Sequence, residues 1–382
     1  VNATFPVEYK NDAFAAHPAI AAHLVELFEM RVDPSRPRDP QAVEALGEKI
    51  RSDLDAVRSL ELDRILRNAL GVVDARVRTN ACVPGRRAIA FKFRSAAVPE
   101  MPKPTPLFEI FVYSPEMEAI HLRGGRVARG GIRWSERRQD YRTEILGLLK
   151  AQMVKNAVIV PTGAKGGFVI KHEITDPRAS KDEGTRQYVT FVRSMLEVTD
   201  NLVDGMVVHP DHVVVHDEDD PYLVVAADKG TATFSDTANA ISAEHGFWLG
   251  DAFASGGSTG YDHKELGITA RGAWESVKRH FREIGTDVMN EPFTVVGIGD
   301  MSGDVFGNGM LYSDQICLVA AFDHRHVFVD PSPHPAVGYA ERRRLFDRPG
   351  SSWDDYDRSK ISEGGGVWPR TDKSIEISPQ TR

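Results

Sequence analysis

An apolar strand that runs into Gly-x-Gly-x-x-Ser, Phe293-Thr294-Val295-Val296-Gly297-Ile298-Gly299-Asp300-Met301-Ser302, constrains the fold of this chain more than any other stretch. A strand delivered onto a glycine loop opens a doubly wound α/β sheet, where backbone amides and a helix start can hold a pyrophosphate. A second apolar strand follows at Leu318-Val319-Ala320-Ala321-Phe322 and ends in Asp323, whose carboxylate can accept the ribose hydroxyls of NAD. Gly297, Gly299, Ser302 and Asp323 are therefore the candidate cofactor contacts. The pattern departs from the usual one in three respects. Serine stands at the third small position, Asp323 lies further on than the usual ~20 residues, and Gly303, Gly307 and Gly309 weaken the intervening helix.

A second segment, Lys155-Asn156-Ala157-Val158-Ile159-Val160-Pro161-Thr162-Gly163-Ala164-Lys165-Gly166-Gly167, reads as a lysine, a short strand and a glycine-rich turn that holds another lysine. A turn after Pro161 would bring Lys165 back to the pocket of Lys155. Two ammonium groups there would attract an anion and disfavour each other's charge, which suits the more buried one to acid–base work near neutral pH. The plain alternative is a flexible turn with a solvated lysine. No Ser or Thr follows Lys165 as a Walker loop requires. Upstream, Arg129-Gly130-Gly131-Ile132-Arg133-Trp134 reads as another glycine-rich turn with cations. Between the two, Tyr141, Ile145, Leu149 and Met153 recur every four residues, one apolar face of a helix with Lys155 at its C-terminal end.

The bulk composition excludes several classes. The chain has 382 residues, 41% hydrophobic and 27% charged, which suits a soluble globular protein of two or more domains. A net charge of -8 argues against nucleic acid as a partner. No apolar run approaches the ~18 residues of a membrane span. With only Cys82 and Cys317, a disulfide framework is not expected and a cytoplasmic setting is. The start at Val1 suggests a piece of a longer chain. His209, His212 and His216 precede Asp217, Glu218, Asp219 and Asp220. These are ligand types without the cysteines or paired spacing of a structural zinc site. A solvated acidic loop is the expectation, and no metal.

Periodicity predicts helices from about Phe14 to Leu70, broken at Asp33–Pro40. Strands are expected at Ala88–Phe93, Leu107–Tyr113 and Met117–Arg123. The clearest helix runs from Thr269, as N-cap, to Gly285 as C-terminal stop. The expected organisation is a helical segment over 1–74, a substrate-binding catalytic domain over 75–289, and an incomplete Rossmann domain over 290–382. The fold class is α/β: a mixed-sheet substrate domain with helices, followed by the first part of a Rossmann-type dinucleotide-binding domain, with a helical N-terminal segment.

The two lysines, Arg-Gly-Gly-Ile-Arg, Ala226-Ala227-Asp228-Lys229-Gly230 and Gly-Ile-Gly-Asp-Met-Ser-Gly together resemble the glutamate dehydrogenases, and more closely the large NAD-specific type. The resemblance runs from about Arg87 to the end, with long matches at Val224–Ile241 and Trp353–Gly366. It implies Lys165 and Asp228 as catalytic residues. It also implies that Lys155 holds the substrate α-carboxylate, and that Arg129 and Arg133 bind substrate. Arg129 stands where the small-type enzymes have a lysine on the distal carboxylate, a departure that keeps the charge. The implied reaction is reversible NAD-dependent oxidative deamination of L-glutamate to 2-oxoglutarate and ammonia, in a cleft between two domains. A homo-oligomer built from longer chains is implied, with this piece inactive alone. The alternatives are another amino-acid dehydrogenase of the superfamily or a non-catalytic regulatory segment.

Overall fold

The start of the chain is helical, as α1 (Val7–Ala16), α2 (Pro18–Val32), α3 (Pro40–Asp55) and α4 (Leu60–Ala75), beginning before the expected Phe14 and ending after the expected Leu70. The computed structural model describes residues 6–153, 162–228, 231, 233–258 and 263–382. Local chemistry sets the helix starts: Asp39 accepts from the Ala42 amide ahead of α3, and Ser59 accepts from the Leu62 amide ahead of α4. Leu24, Leu27, Ile50, Leu54 and Leu66 close the helices on one another.

The chain then lays down β1 (Arg76–Thr79), β2 (Ile89–Arg94), β3 (Phe108–Tyr113), β4 (Met117–Arg123), β5 (Ala128–Arg129) and β6 (Gly131–Trp134). After these come α5 (Tyr141–Met153), β7 (Thr162–Ile170), α6 (Pro177–Leu196) and the small hairpin β8 (Asn201–Val203) and β9 (Met206–Val208). β10 (Val225–Ala227), α7 (Ser235–Glu244) and β11 (Ala254–Ser255) follow. One sheet runs β1-β2-β3-β4-β7-β6-β10-β11, with β5 alongside β7. β1 to β4 and the β4–β7 pair are antiparallel, whereas β7, β6, β10 and β11 run parallel. The change has a covalent cause: β2–β3 and β3–β4 are joined by short links, while β6 reaches β7 through α5, as a parallel crossover requires.

The two faces of this sheet have separate cores. Ile145, Leu146 and Leu149 of α5 pack on Ile120, Leu122 and Val169. Tyr188, Phe191 and Val192 of α6 pack on Ile132 and Phe168 on the other face. Both glycine-rich segments expected as turns are strands, β6 and β7, inside the sheet. Their glycines answer to packing instead. A Cβ on Gly167 would meet Ile145 Cδ1 at 2.4 Å, and one on Gly130 would meet the Ala164 carbonyl oxygen at 1.6 Å.

Contacts divide the chain into two units, Val1–Gly260 and Tyr261–Arg382. The first 74 residues lie within the first unit, where Phe28 of α2 meets Phe91 of β2 at 6.2 Å between ring centroids. The second unit contains α8 (His263–Leu266), α9 (Ile268–Glu283), β12 (Phe293–Ile298), α10 (Asp304–Gly309), β13 (Ile316–Phe322), β14 (His326–Val329), α11 (Pro335–Phe346) and β15 (Gly366–Pro369). Its sheet order is β12-β13-β14-β15, with β12 and β13 parallel and the rest antiparallel. The division therefore falls before α9 rather than near residue 290, because α9 packs on β12: Phe281 and Phe293 lie 5.0 Å apart. Gly267, at φ 59, precedes α9 in place of the expected Thr269 cap, and Gly285, at φ 80, ends it as expected. Both end strands of this sheet, β12 and β15, pair on one side only. β12 lies on the edge, with Val296 63% and Ile298 88% exposed.

Candidate active site

Lys165, Arg133 and Asp228 come from three adjacent strands, β7, β6 and the end of β10. The Lys165 Nζ lies 2.7 Å from Asp228 Oδ2. Arg133 Nη2 donates to the other oxygen, Asp228 Oδ1, at 3.1 Å. Lys165 and Asp228 belong to strands separated by β6, and Gly131 lets them meet. Register places Ile132 opposite Gly166, so Gly131 lies opposite Lys165 on the same face. A Cβ on Gly131 would lie 3.1 Å from the Asp228 Cβ and 2.7 Å from the Ala227 carbonyl oxygen. Asp228 sits just beyond the carboxyl end of a parallel strand, where open α/β sheets carry their ligands.

The surrounding contacts hold the carboxylate in place. The Asp228 amide donates to Thr231 Oγ1 at 3.1 Å, and that hydroxyl donates to the Ile132 carbonyl at 2.6 Å. Arg133 Nη1 donates to Glu144 Oε1 at 2.9 Å, and Ser135 Oγ donates to Glu144 Oε2 at 2.5 Å. Burial opposes the Arg133 charge, but the hydrogen bonds to Glu144 and Asp228 outweigh it and raise its pKa. Burial likewise works against the Glu144 carboxylate, yet Ser135 and Arg133 hold its pKa below the usual value. Arg133 thus spends its guanidinium on two protein carboxylates rather than standing free for a substrate.

Glu144, Ser135 and Thr231 went unread in the sequence. Thr231 had a local signal, its place three residues after Asp228 across a turn. Glu144 had none, because its pairing is set by how α5 lies on the sheet. The Arg129 side chain is exposed on β5, and its carbonyl accepts from Gln152 Nε2 at 3.0 Å. Lys155 lies outside the described residues. A cavity of about 750 Å³, lined by Trp134, Arg137 and His172, includes none of Lys165, Arg133 and Asp228.

In the second unit, Gly297 and Gly299 turn β12 toward α10, and a Cβ on either would meet the Phe306 side chain, at 2.3 and 2.8 Å. Gly299 adopts φ 141, a conformation side chains rarely take. Asp300 Oδ1 accepts from the Ser302 amide at 2.9 Å, the Ser302 hydroxyl at 2.5 Å and the Gly303 amide at 3.1 Å. Ser302 is therefore committed within its own loop. Asp323 Oδ1 accepts from the Arg325 and His326 amides at 2.7 and 2.6 Å, fixing the β13–β14 turn. Its Oδ2 is buried without a hydrogen-bond partner. An acceptor left open at that strand end fits a ribose hydroxyl, and the glycines fit a loop that a dinucleotide backbone approaches closely.

The acidic loop is solvated as expected at Glu218 and Asp219, but Asp217 and Asp220 are buried in ion pairs. Arg78 reaches Asp200 at 2.6 Å and Asp217 at 2.5 Å, and Lys92 reaches Asp217 and Asp220 at 2.6 Å each. Asp200, His209 and Asp219 come within ligand reach of one another. Arg78 already takes both Asp200 oxygens, at 2.6 and 3.0 Å.

A lysine–aspartate pair on the parallel part of a mixed sheet, together with a separate strand–glycine-loop–strand unit, makes this an α/β protein of two units. The chain belongs to the family described as bacterial NAD-glutamate dehydrogenase, catalytic domain, whose model matches residues 49–382. It is 57% identical over 382 residues to the NAD-specific glutamate dehydrogenase of Halomonas elongata, covering 98% of this chain and 24% of the relative. It is also 57% identical over 394 residues to that of Mycobacterium tuberculosis, with the same coverage of 98% and 24%. The chain thus spans about a quarter (24%) of the length of these curated relatives. A solved glutamate dehydrogenase from Plasmodium falciparum overlaps 95% of this chain and 64% of its own, at 13% identity and a TM-score of 0.43.

Proposed function

We propose that this chain carries catalytic machinery for the reversible, NAD-dependent oxidative deamination of L-glutamate to 2-oxoglutarate and ammonia. The Lys165–Asp228 pair at 2.7 Å carries this reading. Bound NAD supplies a hydride acceptor for the glutamate Cα. Gly297, Gly299 and Asp323 would hold it, through close backbone approach and through the open Asp323 Oδ2. In the balanced reaction, glutamate, water and NAD⁺ give 2-oxoglutarate, ammonium, NADH and a proton.

The residues divide the proton work. Loss of hydride from Cα leaves an imine on the substrate carbon. Lys165 would orient the water that attacks that carbon and stabilise the oxygen as charge develops on it. Asp228 would take a proton from the water or amine and return it to the departing nitrogen. Lys165 and Arg133 each take one oxygen of the Asp228 carboxylate. Arg133, tied to Glu144, would fix the Asp228 orientation. Lys155 and Arg129 are proposed for the substrate carboxylates on the resemblance alone.

The test is glutamate-dependent NADH formation by the full-length protein. Lys165→Ala should lower kcat by ~10²–10⁴-fold and leave the Kd for NAD unchanged. Retention of more than about half of the wild-type kcat would remove Lys165 from the chemistry.

A further inference from the structure

A cavity of about 350 Å³ in the first unit has no part in the reaction proposed above. It lies between the N-terminal helices and the outer strands of the sheet. Phe28 of α2, Phe91 and Phe93 of β2 and Phe111 of β3 give it an aromatic wall. Two charged residues line it, Arg76 and Lys10, and no acid does so among the described residues. None of Lys165, Arg133 and Asp228 lines it.

Arg76 makes this more than a packing defect. The residue is 1% exposed, and all three guanidinium nitrogens lie buried without a hydrogen-bond partner. Its guanidinium carbon sits 5.6 Å from the Phe28 ring centroid, a contact that offers no hydrogen-bond acceptor. Burial and the neighbouring Arg31 depress its pKa to about 9, so it stays charged at neutral pH. The other buried cations of this unit are paired: Arg78 has Asp200 and Asp217, Lys92 has Asp217 and Asp220, and Arg123 has Asp220. Buried charges are normally matched in this way.

We propose that the cavity binds a small monocarboxylate with an apolar body, its carboxylate paired with the Arg76 guanidinium and its body against the aromatic wall. A guanidinium and a carboxylate match as a bidentate pair, and in a desolvated site that pair is stronger than in water. The volume falls at the lower end of ligand pockets, roughly 300–1,000 Å³. The apolar wall selects against strongly hydrated dianions such as phosphate, which would lose more solvation than one cation at the wall returns.

The test is calorimetric titration of the full-length protein at pH 7.5 with decanoate, 1-decanol and decyltrimethylammonium. Decanoate should bind at least tenfold more tightly than decanol, and the cation should not bind. Arg76→Met keeps the side-chain bulk and should bring decanoate down to the decanol affinity or below, leaving decanol unchanged. Its melting temperature without ligand should equal or exceed that of the wild type, since the unpaired charge is gone. Ala69→Phe on α4 fills the cavity with Arg76 in place and should abolish binding of both ligands. The wild-type preference decides the matter even if a variant fails to fold. Equal affinity for decanoate and decanol, no decanoate binding at millimolar concentration, or undiminished decanoate binding by Arg76→Met overturns the proposal.

Discussion

Asp228 holds a cation on each oxygen, and the two cations are not equivalent. Lys165 touches nothing else among the described contacts, whereas Arg133 is anchored at its far end by Glu144. The difference separates a group proposed to meet substrate from one proposed to position Asp228. Arg133→Met should therefore lower kcat with little change in the KM for glutamate. Arg133→Lys should recover only part of the loss, because one ammonium cannot fork between Asp228 and Glu144 as a guanidinium does. Steady-state kinetics of the two variants check this. A raised KM at unchanged kcat would instead put Arg133 on the substrate.

Among the elements, glycines carry contrasting demands that only packing reveals. Gly147 lies on the exposed side of α5, where an added Cβ would meet nothing within 4 Å, so Gly147→Ala should stabilise by about 0.5–1 kcal/mol. Gly130→Ala meets a backbone oxygen at 1.6 Å that cannot step aside, and its cost should exceed the ~1–3 kcal/mol of ordinary overpacking. Denaturant unfolding of both variants measures the contrast, and equal effects would mean the β5–β7 approach is looser than the structure has it. Glu341 links α11 to the following segment. It accepts from Arg344, from Lys360 Nζ at 2.7 Å and from the Asp357 amide at 2.9 Å. Burial works against its charge, but these donors prevail and bring its pKa down to about 2 from 4.5. A lowered carboxylate pKa stabilises the fold above the unfolded value and loses that contribution as pH falls through the folded one. Glu341→Gln should thus be less stable than wild type at pH 7, with the gap closing between about 4.5 and about 2. A gap independent of pH in that window would show that charge is not what Glu341 contributes.

For the molecule as a whole, each unit has its own apolar core. Trp353 is fully buried in the second, where it packs on Phe328 at 5.0 Å and its indole N–H donates to the Gly299 carbonyl at 2.8 Å. Trp353→Ala should cost ~3–5 kcal/mol in the unfolding of that unit, and it should weaken NAD binding through the freed glycine loop. Calorimetry and NAD titration of the full-length protein test both effects; lost stability with unchanged NAD affinity would detach the loop from the cofactor. The proposed cofactor choice belongs to this scale too. A buried carboxylate at Asp323 repels a 2′-phosphate, while His324 and Arg325 are exposed beside it. The full-length enzyme should show a higher kcat/KM for NAD than for NADP, and the reverse order would sink the Asp323 assignment.

Several helices and strands were legible because they rest on local periodicity and stop signals: the apolar spacing of α5, the alternating runs of β2 to β4, and Gly285 after α9. Lys165 and Arg133 stood out because each lies in a short stretch of glycines and cations, whereas Asp228 was reached only through the resemblance to the glutamate dehydrogenases. What the glycines were for was not legible. A glycine-rich run reads as a turn from its own flexibility, yet in β6 and β7 it is strand, required by Ile145, Ala164 and Asp228 closing from elsewhere in the chain. The partners of the charges also came only from the fold. Nothing in the sequence beside Asp217 or Glu144 announces Lys92 or Arg133, because ion pairs across a sheet depend on register and on the lie of a helix. The unpaired Arg76 depends likewise on where α2 and β2 place their aromatic rings.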